Sequence, residues 1–264
     1  MVENAEISKR ANHARQVARE AAALALDYFR DIHALEIDSK GLQDPVSNAD
    51  REVELFIREA LSRAYPDDGI IGEEHAPVDS KSGYTWVIDP IDGTANFIVG
   101  SPCWAVVIAC VHSGKTVSGV IHDPIADEHF CTILGQGAEL NGKALKVARA
   151  SSLSDGILGV GHSTRIPVDS TLKALSELMN AGGIFYRNGS GALMLAYVAA
   201  GRLIGYCEPH MNSWDCIAGM LMITEAGGHI DPFDGNTMLK DGHEVVGGCP
   251  GIYDELHAIC ARSF

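Results

Sequence analysis

The chain has 264 residues, 46% of them hydrophobic and 21% charged, with a formal net charge of −15. That balance excludes a disordered chain and leaves enough apolar material for a sizeable core, in one large unit or two closely fused ones. The acidic excess argues against nucleic acid and anionic membrane surfaces as partners, because both need clustered lysine and arginine.

The first segment is predicted as a long amphipathic helix, since Ile7, Ala11, Ala14, Ala18, Ala21, Ala25 and Phe29 recur at helical spacing. The polar stretch from Asp38 to Asn48, with Lys40, Gly41 and Pro45, reads as a loop or short hairpin. By itself Lys40 is a solvated surface lysine. A second helix is expected from Asn48 to about Ala64, with Val53, Phe56, Ile57, Ala60 and Leu61 as its apolar face. Ser47 and Asn48 are good caps and Asp50 complements the helix dipole, so capping is the stronger local reading of that acid.

The texture then turns to β. Gly69–Gly72 and Tyr84–Asp89 are short apolar runs, the second stopped by Pro90. Trp104 to Val111 is continuously apolar, as a strand covered on both faces would be. Val117–Ile121 and His129–Leu134 continue the pattern, and Gly135 to Gly142 is turn-rich. Up to about residue 145 one helical layer stands against one sheet. The remainder mixes helices near 170–181, 190–200, 214–226 and 252–261 with short strands near 203–207 and 244–247. No linker separates residues 1–145 from 146–264, so the halves are expected to pack tightly as one functional unit. The order fits an α+β layered sandwich better than regular βαβ units.

No apolar run approaches the ~20 residues of a membrane span, and Met1 to Glu6 lacks the basic and apolar regions of a secretory signal. Seven scattered cysteines, without Cys-x-x-Cys, read as free thiols of a protein in a reducing cytoplasm.

Several acids sit where chemistry happens in α/β proteins. In Asp89-Pro90-Ile91-Asp92-Gly93-Thr94 an apolar strand ends in an aspartate, a second follows three residues on, and Gly93-Thr94 opens a short helix. Two carboxylates around a sharp turn suit Mg2+, which takes oxygen ligands, and free N–H groups beside them suit a phosphate. The same six residues also make an ordinary turn. Glu73 and Glu74 after Ile70-Ile71 read as a metal ligand with its supporting partner, or as a solvated loop. Asp215 after Trp214 reads as a ligand or as a first-turn helix acid. Glu208, before Pro209, reads as a contact to a substrate hydroxyl or as a strand-end acid. Gly114-Lys115-Thr116 lacks the leading glycine of a P-loop, and Gly159-Val160-Gly161 lacks the third glycine of a dinucleotide fingerprint.

Together these segments resemble the inositol monophosphatase family. The resemblance is carried by Trp86-Val87-Ile88-Asp89-Pro90-Ile91-Asp92-Gly93-Thr94-Ala95-Asn96-Phe97 and by Trp214-Asp215 followed by Thr224-Glu225-Ala226-Gly227-Gly228. Gly72-Glu73-Glu74 and Pro45 to Asp50 match two further family blocks in order. The resemblance implies a layered α-β-α-β-α sandwich of the sugar-phosphatase type, usually a homodimer. It implies two or three Mg2+ ions per site held by Glu73, Asp89, Asp92, Asp215 and the Ile91 carbonyl, with inhibition by lithium. Glu73 and Thr94 are expected to activate the attacking water with Asp50 in support, and Lys40 belongs to a mobile loop that organises a weaker third metal. Gly93 and Thr94 are expected to contact phosphate. Gly189, Ser190, Gly191 and Glu208 are expected to contact the alcohol portion, and Asp92 and Asp215 complete the substrate contacts.

The implied reaction is hydrolysis of a small phosphate monoester of a polyol or amino alcohol by metal-activated water, myo-inositol 1-phosphate first. Gly191 stands where the family usually has alanine, and Trp104 is similar to histidinol-phosphatase relatives, so histidinol phosphate is the alternative substrate. A non-catalytic regulatory protein of the same fold is the alternative from another class.

Overall fold

The computed structural model describes residues 2–41, 44–235 and 237–264. Helix α1 (Val2–Arg30) buries a stripe of small residues, Ala11, Ala14, Ala18, Ala21, Ala22 and Ala25. Alanine keeps the helix axis close to the sheet beneath it at little cost in side-chain entropy. The polar stretch is a hairpin, β1 (Ile37–Gly41) against β2 (Asp44–Ser47), paired antiparallel. Helix α2 (Asn48–Ala64) follows directly. Its start is closed by Asp50, whose Oδ2 accepts from the Ser47 N–H at 2.8 Å and the Ser47 hydroxyl at 2.6 Å.

Strands β3 (Gly69–Gly72) and β4 (Tyr84–Asp92) then pair in parallel, and β4 leads into the short helix α3 (Thr94–Ile98). Strands β5 (Ala105–His112), β6 (Lys115–Asp123), β7 (Glu128–Ile133), β8 (Gly137–Leu140) and β9 (Lys143–Ala144) complete a seven-stranded sheet in chain order from β3 to β9. Two expectations are corrected here. Pro90 does not stop β4: Asp89 pairs with Val107 and Asp92 with Ala105, so Pro90 falls in an irregularity where no ladder N–H is needed. The glycine-rich stretch after β7 also contains a strand, β8, because its turns fold it back on β7.

The rest of the chain runs β10 (Ile157–Val160), α4 (Val168–Asn180), β11 (Ile184–Tyr186), α5 (Gly191–Ala199), β12 (Gly205–Met211), α6 (Ser213–Glu225), β13 (His229–Ile230), α7 (Met238–Asp241), β14 (His243–Gly248) and α8 (Pro250–Ser263). Its five strands form a second sheet in the order β11-β10-β12-β14-β13.

The apolar run of β5 explains the layering. Val106, Ile108 and Cys110 point to α1 and α2, while Ala105, Val107, Ala109 and Val111 point to α5 and α6. Helices α5 and α6 also pack on the second sheet, whose other face is covered by α4 and α8. The result is a five-layer α-β-α-β-α sandwich. One ion pair ties α1 to the loop before β3. Arg10 donates to both oxygens of the buried Asp68, at 2.8 and 3.0 Å, and its guanidinium lies over the rings of Tyr84 (3.9 Å) and Tyr65 (4.5 Å).

Candidate active site

The end of β4, the turn after β3 and the start of α6 meet at one place. Glu73, Asp89 and Asp215 each bring a carboxylate oxygen within 4.8 Å of the others. Asp89 sits on the irregular end of β4, where its Oδ1 accepts from the Ile91 N–H at 2.9 Å. Asp215 serves its helix start and faces the acid cluster with one side chain. Its Oδ2 accepts from the Asn212 backbone N–H at 3.2 Å and so caps α6, and the same side chain belongs to the acid cluster. Burial pushes both aspartates well above the ordinary carboxylate range, and the charge of Glu73 and then of Asp92 pushes each further.

Asp92 is held apart from that trio. Its Oδ2 accepts from the Ser190 hydroxyl and from the Ala192 N–H at 2.9 Å. Burial raises its carboxyl to about 6, against the lowering effect of those bonds. The Thr94 hydroxyl faces two acceptors, Asp50 Oδ1 at 2.9 Å and the Ile91 carbonyl at 3.1 Å. It has one hydrogen, so it can donate to only one of them at a time. Asp50 is fully buried, and burial raises its pKa despite the bonds from Ser47 and Thr94. Gly93 is the N-cap of α3 directly before Thr94.

A cavity of about 150 Å³ opens beside Asp92 and Asp215, and Arg187, Ser190, Tyr206 and Glu208 line it. Gly189 and Gly191 line it too. Gly189 has φ +86°, and a Cβ there would stand 2.8 Å from Asn96 Nδ2. Only glycine therefore suits the turn. Asn96 fixes it from below, donating to the carbonyls of Asn188 and Cys103, both at 2.7 Å. The Tyr206 hydroxyl donates to Glu208. Burial raises the Glu208 carboxyl to about 7, while the Tyr206 bond and Arg187 lower it.

The family model described as the inositol monophosphatase family matches residues 6–263. The chain belongs to that family. An inositol-1-monophosphatase of Mesorhizobium japonicum is 40% identical over 236 residues, which are 88% of this chain and 89% of that protein. The Nus factor SuhB of Haemophilus influenzae is 36% identical over 252 residues, 94% of each chain. In fold, the extragenic suppressor protein suhB of Bartonella henselae matches with a TM-score of 0.90 at 34% identity, covering 96% of this chain and 98% of that one.

For this inositol monophosphatase family member, the residues singled out in sequence fall into three adjoining groups. Glu73, Asp89 and Asp215 form the acid cluster; Asp50 and Ile91 meet at the Thr94 hydroxyl; Asp92, Gly189, Ser190, Gly191 and Glu208 border the cavity, to which Asp215 also contributes. Lys40 lies on β1, and its side chain falls outside the described residues. Sequence reasoning missed Arg187, Tyr206 and Asn96. Asn96 stood inside the quoted signature without a role. Arg187 carried a signal, as a lone cation two residues before the Gly189 turn. Tyr206 is at i−2 from Glu208, which on a strand puts both side chains on one face.

Proposed function

We propose that the chain is a Mg2+-dependent phosphatase that hydrolyses a small phosphate monoester, myo-inositol 1-phosphate first, to the alcohol and inorganic phosphate. The observation that carries this reading is the convergence of Glu73, Asp89 and Asp215. Like charges packed this closely, Asp89 buried and Glu73 and Asp215 half-buried, need a cation, and a hard divalent ion that takes oxygen ligands fits the set. Asp92 and the Ile91 carbonyl join the proposed ligands, for two or three ions per site. Bound Mg2+ would supply the positive charge that neutralises these acids together with a substrate phosphate.

The chain's own groups then orient and deprotonate water. Thr94 donates its hydrogen to Asp50 and accepts one from the attacking water, with Glu73 on the other side. Asp50, already an acceptor in a buried setting, takes the relayed proton. The N–H groups of Gly93 and Thr94 hold the phosphate. A general base alone supplies only ~10²–10⁴ in rate. Enhancement of monoester hydrolysis reaches ~10²¹, so charge and positioning carry most of it. Water attacks directly, with no phosphoenzyme, and lithium inhibits.

The leaving alcohol occupies the cavity, where Glu208 accepts from a hydroxyl. Histidinol phosphate is the competing substrate, since an acid beside an aromatic ring also receives an ammonium group. Phosphate release with Mg2+, compared as kcat/KM for the two substrates, tests the assignment. A preference for myo-inositol 1-phosphate supports it, and a preference for histidinol phosphate replaces it.

The relatives named Nus factor support a second reading, in which the chain works through a macromolecular partner. Asp92→Asn separates the two: survival of cellular function after loss of hydrolysis favours the partner role. We also propose a homodimer in a reducing cytoplasm. The exposed edge strand β11 and seven free cysteines are consistent with it, and none of the described helices is long and apolar enough to cross a membrane.

A further inference from the structure

Glu54 lies on α2 one turn after Asp50 and is fully buried. A carboxylate in that position must be paired and hydrogen-bonded to persist. Among the described residues its partners lie on its own helix or on the turn that follows β3, where the His75 ring Nδ1 also stands 3.4 Å from Oε1. The N–H of Glu74 donates to Oε2 at 2.7 Å and the N–H of His75 to Oε1 at 3.2 Å. Arg58 Nε donates to Oε1 at 2.6 Å. The remaining guanidinium nitrogens of Arg58 donate to the carbonyls of His75 at 2.9 Å and Ala76 at 3.1 Å. The carboxylate also lies against the backbone of Gly72, where an added Cβ would stand 2.2 Å from Oε1.

Glu73 is therefore the one residue between two points fixed by Glu54: the Gly72 backbone before it and the Glu74 N–H after it. Its carboxylate reaches the oxygens of Asp89 and Asp215 from that short span. Three mutually repelling acids do not assemble by themselves. Something must hold Glu73 in place, and the Glu54–Arg58 pair is an anchor that touches its turn on both sides of it.

We propose that Glu54 is a positioning residue for Glu73: with Arg58 it fixes the turn at residues 72–76 and preorganises the acid cluster for a divalent cation. The inference rests on Glu73 being a metal ligand. It adds that metal affinity is set partly from behind the site, by a residue that touches neither metal nor substrate. Partners that orient metal ligands typically control affinity by ~10–100-fold.

The test is calorimetric titration of Mg2+ and of Mn2+, without substrate, into the purified full chain well below its melting temperature. Wild type is compared with Glu54→Gln, Arg58→Lys, Glu73→Gln and Arg10→Ala. Glu54→Gln puts an amide donor against the Arg58 and backbone donors. Arg58→Lys keeps the charge but loses the paired carbonyl bonds, and it reads the same turn if Glu54→Gln does not fold. The expected result is ~10–100-fold weaker binding for Glu54→Gln and a smaller loss for Arg58→Lys. Arg10→Ala, destabilised elsewhere, is expected to bind as wild type does. If Glu73→Gln binds weakly while Glu54→Gln and Arg58→Lys keep wild-type affinity, the positioning role is overturned and Glu73 stands as a ligand. If Glu73→Gln itself binds as wild type does, the ligand reading fails and the inference falls with it. Weakening of Arg10→Ala to the same degree overturns the inference in favour of general loss of stability.

Discussion

Asp92 and Ser190, 98 residues apart in the chain, are joined by a hydrogen bond from the serine hydroxyl to the aspartate Oδ2. The bond fastens the end of β4 to the start of α5, so the wall of the cavity is drawn from both sheets' connections. Ser190 also caps α5, accepting from the Leu193 N–H at 3.3 Å.

Ser190→Ala is predicted to lower kcat/KM for phosphate release by ~10–100-fold through loss of Asp92 orientation. Loss of the cap adds a stability cost of about 1 kcal/mol. Steady-state kinetics with a thermal melt checks both. Unchanged kcat/KM would remove the Asp92–Ser190 bond from any role in the site.

Arg10 carries a prediction about stability alone. It is 7% exposed and bonds both oxygens of Asp68. Arg10→Ala leaves that acid buried without its cation, at a cost of about 3–5 kcal/mol. The melting temperature should fall by roughly 6–20 °C for a chain of this size. At 20 °C, roughly, the variant should turn over as wild type does, because stability rather than site geometry is lost. Calorimetry and an assay on the same sample decide it.

A third prediction concerns acid. His129 is 4% exposed, and neither ring nitrogen has a hydrogen-bond partner among the described residues. Burial lowers its pKa to about 3, and His122, with ring centroids 4.8 Å apart, adds to the effect. In the unfolded chain the imidazole titrates near ~6.5. The unfolded state therefore binds a proton that the native state refuses. The stability is fully present above about pH 6.5 and is lost as pH falls toward the folded value. His129→Phe should flatten this dependence: its urea midpoint should fall less than wild type's between about pH 7 and pH 4. Parallel curves would show that other groups govern acid sensitivity.

The edge strand β11 is the proposed dimer contact. Ile184, Phe185 and Tyr186 are all exposed there, on a strand with one unpaired side. Phe185→Glu is predicted to convert a dimer to a monomer in sedimentation at micromolar concentration. A wild-type monomer, or a variant that stays dimeric, contradicts the placement.

Where burial repeats with a period, the sequence was legible. The run from Trp104 to Val111 is apolar throughout because each face of β5 meets a different core, and α2 declared itself through its cap and apolar face. Strands β11 and β13 were missed because three and two residues are too few to show a period. Pro90 misled for a physical reason, since the irregular pairing that tolerates it depends on β5, which local sequence does not contain. In the site, Asp89 and Asp92 read locally as a cation and phosphate turn as well as an ordinary one, and only the resemblance joined them to Glu73 and Asp215. Glu54 does not stand out among the polar residues of its helix. Yet it lies one turn from Asp50, next to Val53 and one turn before Ile57 on the buried side, and a charge there demands a partner.

The most direct test is phosphate release from myo-inositol 1-phosphate by the purified chain, stripped of metal with a chelator and then given Mg2+, beside Asp89→Asn. Release is predicted to be absent from the stripped protein, to return with Mg2+, and to be lower by about 10³-fold or more in Asp89→Asn. Hydrolysis that needs no divalent ion, or an Asp89→Asn variant as active as wild type, would contradict a phosphatase centred on the Glu73–Asp89–Asp215 cluster.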